Sequence, residues 1–243
     1  MPVSIPVDLW FVELGGDECQ RRAAHELLDP TEHARAARFR FDHDRDQYVF
    51  SHAALREILG ERCGMDPRAI RYETGPAGKP ACAPPIGTDL SFNLSHAGNY
   101  ALIGVAAGPP IGVDVEATTR TVDESEIVER FFSTTECAAW AEIATSEQSA
   151  AFFRAWTLKE AYVKARGDGL GHDSQRYTIE LRPTESARLI ADEIDPTAPA
   201  RFQLFSVTAP TGYAAAVALE IAPKTPVKLQ IREWPHGSTS LQV

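Results

Sequence analysis

The sequence predicts an α+β fold made of two similar halves, each with helices packed on a small antiparallel sheet. Segments of helical and strand periodicity come in the same order twice, helices first and then a run of short strands. A local pattern also repeats: Phe92, Leu94, Gly98, Tyr100 and Ala101 match Phe202, Leu204, Gly212, Tyr213 and Ala214 in type and order. With 243 residues and 44% hydrophobic content, the chain can fill a core of that size. The expected division is 1–110 for the first half, 111–222 for the second, and an irregular tail over 223–243.

A strand is expected at Val7 to Leu14, then helices at 17–28, 31–39 and 43–60. Asp29-Pro30-Thr31 is a helix start, and Gly60 and Gly64 punctuate the end of the long helix. Ile70 to Glu73 opens a strand-rich stretch. Gly75 to Pro80 has too much glycine and proline for a helix or central strand, so it is a turn carrying Lys79. Strands follow at Leu90 to Leu94, Tyr100 to Ala106 and Ile111 to Glu116. The second half predicts helices at 123–131, 133–144 and 147–166, with Ser133 and Glu136 forming a capping box. Strands are expected at 176–182, 187–191, 201–207 and 212–220. Beyond 222, Pro223, Pro226, Pro235 and Gly237 appear without periodicity.

Charge and composition narrow the function. The net charge of −10 argues against nucleic-acid binding, which needs a positive field to displace counterions. No stretch reaches the roughly 18 apolar residues of a bilayer span, and the first residues lack a basic segment followed by an apolar run. A cytoplasmic protein is expected. Cys19, Cys63, Cys82 and Cys137 lack the paired spacing of zinc sites and are taken as free thiols. Arg35, Arg38, Arg40 and Arg45 form a local basic cluster, interleaved with Asp42, Asp44 and Asp46.

In Gly112-Val113-Asp114-Val115-Glu116, strand alternation puts both carboxylates on one face and both valines on the other. Alone, this pattern also describes an edge strand with a solvated face. Paired carboxylates repel each other, however, unless a cation, a proton or a basic partner compensates. Within Trp156 to Lys164, Trp156, Glu160 and Lys164 recur every four residues and so share a helix face. Alone, that helix reads as aromatic core with a surface Glu–Lys pair. Together, Asp114, Glu116, Glu160 and Lys164 suit a magnesium–diphosphate site, because Mg²⁺ prefers hard oxygen ligands shared with substrate phosphates.

Ser95 and His96, in Asn93-Leu94-Ser95-His96, stand at a strand end where a turn can expose them to a ligand. No glycine-flanked nucleophile turn surrounds Ser95, which argues against a serine hydrolase.

These blocks, Gly112 to Glu116, Phe131-Phe132-Ser133 and Trp156 to Lys164, resemble the signature of Sfp-type 4′-phosphopantetheinyl transferases. The resemblance extends through Arg38-Phe39, Gly78-Lys79-Pro80 and Phe92 to His96, spanning roughly residues 35 to 170. It implies a pseudo-dimer of two α+β halves with coenzyme A in the cleft between them. It also implies transfer of 4′-phosphopantetheine from coenzyme A to a serine of an acyl, peptidyl or aryl carrier protein, releasing 3′,5′-ADP. Carried over by position, Asp114, Glu116 and Glu160 would surround Mg²⁺, Lys164 would meet the diphosphate, and Glu160 would accept the serine proton. Lys79, Ser95, His96 and the Arg35/Arg38 region would hold the nucleotide and its 3′-phosphate. Glu32 and Gln47 depart from the pattern, standing where many relatives carry basic or hydrogen-bonding groups. The family's single-domain members have about half this length and assemble as trimers, so a duplicated chain is expected to be a monomer. Two other readings stand beside this one: a non-catalytic coenzyme A- or carrier-binding protein, and a magnesium-dependent diphosphate hydrolase.

Overall fold

The structure is a computed structural model that describes residues 4–75, 78–84, 89–167, 173–182 and 186–234. Its first half runs β1 (Ile5–Glu13), α1 (Glu18–Leu27), α2 (Pro30–Ala36), α3 (Asp42–Cys63), the ribbon β2 (Tyr72–Thr74) and β3 (Pro80–Cys82), then β4 (Leu90–Ala97) and β5 (Tyr100–Ala107). The second runs β6 (Ile111–Ala117), α4 (Glu124–Phe131), α5 (Thr134–Ala141), α6 (Thr145–Arg166), the ribbon β7 (Tyr177–Ile179) and β8 (Leu189–Asp192), then β9 (Phe202–Val207) and β10 (Tyr213–Glu220). One strand, three helices, a short ribbon and a hairpin thus occur twice in the same order. In each half the last strand lies between the first and the second-to-last, giving β1–β5–β4 and β6–β10–β9, antiparallel throughout.

Strand alternation then builds the layers. Ala101, Ile103 and Val105 of β5 pack with Trp10 and Val12 beneath α3, whereas Leu102 and Ala106 face the second sheet. That sheet answers with Val113, Val115, Val217 and Leu219, and gives its other face, with Ala216, Ala218 and Leu204, to α6. The order is helix, sheet, sheet, helix.

The same device anchors both long helices. Arg56 of α3 is fully buried and its Nε lies 2.6 Å from Glu32 Oε2, the capping-box glutamate of α2. Lys159 of α6 is likewise buried, its Nζ 2.6 Å from Glu136 Oε2, the capping-box glutamate of α5. Both helices span 22 residues and stop at a left-handed glycine, Gly64 (φ 63°) and Gly167 (φ 75°), a conformation that a Cβ would strain.

The expected irregular tail is corrected. Val227–Glu233 forms β11, which pairs in parallel with β1 and extends the first sheet to β11–β1–β5–β4. Pro223 and Pro226 precede this strand without interrupting it, and Trp234 N–H donates to Phe11 O at 3.0 Å. Arg232 approaches the buried Asp8 at 3.6 Å.

Lys159 and Glu136 are each 1% exposed, so removing one partner strands the other charge. Glu136→Gln should therefore lower unfolding free energy by about 3–5 kcal/mol, read as a reduced urea midpoint at unchanged slope. The double variant with Lys159→Met should recover most of that loss.

Candidate active site

Asp114 and Glu116 project from β6 on the face opposite Val113 and Val115, toward α6. The helix can reach them because of Gly112. A Cβ there would stand 2.1 Å from Ala161 O and 2.3 Å from Ala165 N, so only glycine lets the α6 backbone lie against the strand. Ala161 and Ala165 follow Glu160 and Lys164 directly, and the contact brings those two side chains over the acidic face. Strand β4 completes the site: Asn93 Oδ1 accepts from Val113 N–H at 2.8 Å, and Ser95 Oγ donates to Asp114 Oδ1 at 2.8 Å.

The resulting cavity, about 560 Å³, is lined by Ser95, His96, Asp114, Glu116, Trp156, Glu160 and Lys164, with Arg130, Phe131, Val163, Ser174 and Tyr177 around them. Lys164 Nζ lies 2.6 Å from Asp114 Oδ1 and 2.9 Å from Ser95 Oγ. Trp156 donates its indole N–H to Glu116 Oε1 at 3.2 Å, and Arg120 lies 3.5 Å from Glu116 Oε2. Phe131 and Phe152 hold the indole by edge and face contacts at 5.7 and 6.1 Å.

The electrostatics separate these acids from most others in the interior. Burial raises the Asp114 pKa, outweighing the opposing pull of Lys164 and Ser95. Burial and then the Asp114 charge raise both Glu116 and Glu160. Asp114 Oδ2 is buried with no hydrogen-bond partner among the described residues. Elsewhere, burial raises Glu32 too, but His52, the Asp29 backbone and Arg56 outweigh it and leave its pKa lowered; Arg182 holds Glu180 at about 2. The site acids therefore carry an unbalanced negative demand.

The structure does not bring every expected residue into this cavity. Lys79 donates to Ile111 O at 2.8 Å and Lys164 O at 2.7 Å, where a cation meets the negative end of α6. Its ammonium ties the first half's turn to the end of α6, and burial pulls its pKa down to about 8. Arg35 and Arg38 line a separate hollow with Thr31 and Phe39, Arg35 stacking on Tyr48 at 5.4 Å. Glu32 and Gln47 have internal partners: Glu32 accepts from Arg56, and Gln47 donates to Gly98 O at 2.5 Å. Arg130, Ser174 and Tyr177 were not anticipated as site residues. Arg130 adjoins the recognised Phe131-Phe132 block, but Ser174 and Tyr177 had no motif to mark them.

With this geometry in hand, comparison with known proteins identifies the family. Residues 110–218 match the model of the 4′-phosphopantetheinyl transferase superfamily, and residues 17–108 match that of the 4′-phosphopantetheinyl transferase N-terminal region. The chain is 35% identical to 4′-phosphopantetheinyl transferase HetI of Nostoc sp., covering 89% of each protein. It is 29% identical to 4′-phosphopantetheinyl transferase Sfp of Bacillus subtilis over 70% of this chain and 79% of that one. It is 31% identical to psf-1 of Bacillus pumilus over 71% and 74%. The solved holo-[acyl-carrier-protein] synthase of Thermotoga maritima overlaps with a TM-score of 0.38 at 21% identity, over 47% of this chain and 64% of that one, too loosely to add to the assignment. The chain belongs to the 4′-phosphopantetheinyl transferase superfamily and is an enzyme of the Sfp type.

Gly112→Ala should force α6 away from β6, costing about 1–3 kcal/mol of stability. It should also depress transferase activity far beyond that loss, since Glu160 and Lys164 move with the helix. Activity assayed well below the melting temperature separates the two effects.

Proposed function

We propose that this transferase moves 4′-phosphopantetheine from coenzyme A to a serine hydroxyl of an apo acyl, peptidyl or aryl carrier protein, releasing 3′,5′-ADP, with Mg²⁺ held by Asp114, Glu116 and Glu160. The observation that carries this reading is the buried Asp114 carboxylate, which has one unpartnered oxygen and lies close enough to Glu116 and Glu160 to raise the pKa of both. Among the described residues, no three such side chains form a ready-made cluster. The donors are nonetheless all hard oxygens on two rigid elements, which fits Mg²⁺ shared with substrate phosphates. When bound, the metal supplies charge neutralisation at the diphosphate.

The chain's own residues do the rest. Lys164 is a point charge for a diphosphate oxygen once it leaves Asp114. Ser95 and His96 line the same wall, and partial desolvation in the cavity and the Lys164 charge lower the pKa of His96, favouring a neutral ring that can accept or donate one hydrogen bond. The carrier serine oxygen forms a bond to the β-phosphorus as the bond from that phosphorus to 3′,5′-ADP breaks. The serine proton passes to Glu160, whose raised pKa makes it a stronger base than an ordinary carboxylate. Arg35 and Arg38, in their separate hollow, are proposed for the nucleotide's 3′-phosphate. The Lys79 ammonium, held on helix carbonyls, is read as support for α6. The repeated order of elements supports reading the chain as a duplicated unit and the enzyme as a monomer with a single site; its proposed location is the cytoplasm. The helices include none long and apolar enough to cross a membrane among the described residues.

The deciding experiment combines the protein with coenzyme A, Mg²⁺ and an apo carrier, and looks by mass spectrometry for the phosphopantetheine adduct. Absence of adduct on acyl, peptidyl and aryl carriers refutes the proposal, and release of 3′,5′-ADP without a carrier favours hydrolysis instead. Asp114→Asn and Glu160→Gln should each reduce kcat/KM by about two to four orders of magnitude with unchanged circular dichroism.

A pH profile offers an independent check. The raised carboxylate pKa values mean that activity should fail on the acid side at higher pH than ordinary carboxylates would dictate. Metal and proton compete for the same oxygens, so added Mg²⁺ should move that acid limb to lower pH. A limb that ignores Mg²⁺ would contradict the ligand assignment.

A further inference from the structure

We propose that Lys164 is an internal counter-cation for Asp114, so that the divalent metal binds tightly only after coenzyme A has drawn the lysine ammonium onto its diphosphate. This rests on the metal-site reading above. Two groups converge on one carboxylate oxygen and on each other: Lys164 Nζ lies 2.6 Å from Asp114 Oδ1, Ser95 Oγ donates to that oxygen at 2.8 Å, and the lysine donates to Ser95 Oγ at 2.9 Å. Asp114 Oδ2 has no partner among the described residues. A divalent cation taking Oδ1 must displace the ammonium. One taking Oδ2 sits a carboxylate's width from the same ammonium and is repelled by it. Either way, Lys164 opposes the metal while it stays where it is.

The two partners differ in their freedom to move. The Asp114 side chain is 5% exposed, on a strand sandwiched between β10 and the α6 backbone. The Lys164 side chain is 29% exposed, in the last turn of α6 and facing the cavity. A diphosphate entering the cavity offers the ammonium a more highly charged partner than one buried carboxylate. Moving onto it clears the inner oxygen of Asp114 and removes the repulsion in one step. Metal and coenzyme A are thereby coupled through a single side chain, and linkage requires each to raise the affinity of the other by the same factor. The effect follows from charge and not from shape, so arginine should preserve it and glutamine should not.

The test uses Mn²⁺ as the probe, titrated against enzyme without carrier and followed by the electron paramagnetic resonance of the free aquated ion. Without coenzyme A, Lys164→Gln should bind Mn²⁺ about tenfold or more tightly than the wild type, with Lys164→Arg remaining weak. Equal or weaker Mn²⁺ binding by Lys164→Gln, with binding lost in Asp114→Asn, overturns the lysine proposal and leaves the metal site standing. If no protein binds Mn²⁺ with or without coenzyme A, both readings fall. A second measurement needs no variant: wild-type affinity for coenzyme A, by calorimetry, should rise about tenfold with saturating Mn²⁺. Identical affinities with and without Mn²⁺ overturn the coupling.

Discussion

The contact between the α6 backbone and strand β6 at Gly112 sets the distance on which the site depends. A helix normally rests on a sheet through side chains, which keep its backbone well clear of the strands. Here the missing Cβ lets the peptide groups of Ala161 and Ala165 approach the strand itself. Lys164 then reaches Asp114 at 2.6 Å, and Glu160 stands close enough to Asp114 and Glu116 for both charges to raise its pKa. The same closeness excludes water from Asp114, which raises its pKa and sharpens its need for a cation. Geometry and electrostatics thus have one origin. Lys79, bonded to the carbonyls of Lys164 and Ile111, fastens the same helix end to the same strand start.

Buried charge elsewhere in the molecule shows what a satisfied group looks like. Arg56 has Glu32, Asp29 and two carbonyls, and Lys159 has Glu136 and the Tyr177 carbonyl. Asp192 takes Tyr162, Arg166 and two backbone N–H groups. These networks close on themselves and hold elements together. Asp114 differs in leaving one oxygen open, and it shares its field with two more acids whose pKa values are also raised. Asp8 also has an oxygen without a hydrogen bond, but Arg62 and Arg232 flank that carboxylate at 2.9 and 3.6 Å. At Asp8 two arginines meet the charge, whereas at Asp114 the neighbouring Glu116 and Glu160 add to it.

Much of this was legible in the sequence, for physical reasons. Helix starts announced themselves through side chains that cap their own backbone, as at Asp29 and Ser133, and the acidic face of β6 followed from strand alternation alone. Strand β11 was not legible, because its partner β1 lies at the other end of the chain and a parallel pairing leaves no turn signal between them. The role of Lys79 was hidden for a similar reason. A lysine in a glycine–proline turn reads as a free cation, and only the fold reveals the helix end waiting for it. Ser174 and Tyr177 reach the cavity from a segment whose own periodicity says nothing of α6.

The repeated topology also shows, among the described residues, why the proposed site has no counterpart in the first half. Aligning the halves on Tyr100 with Tyr213, which begin β5 and β10, makes Ala101, Ile103 and Val105 equivalent to Ala214, Ala216 and Ala218. Through the strand registers, Trp10 then answers to Asp114, Val12 to Glu116 and Asp8 to Gly112. Aligning the long helices on their terminal glycines pairs Arg56 with Lys159, Glu57 with Glu160 and Glu61 with Lys164. The structural device, a buried cation on a capping-box glutamate, is present in both halves. The chemical one is not. Trp10 and Val12 fill the space beneath α3 with apolar core where the second half carries acids, and Asp8 stands where only glycine admits a helix backbone. Among the described residues the packing device is common to both halves, while the acidic strand face and the close helix are found in the second.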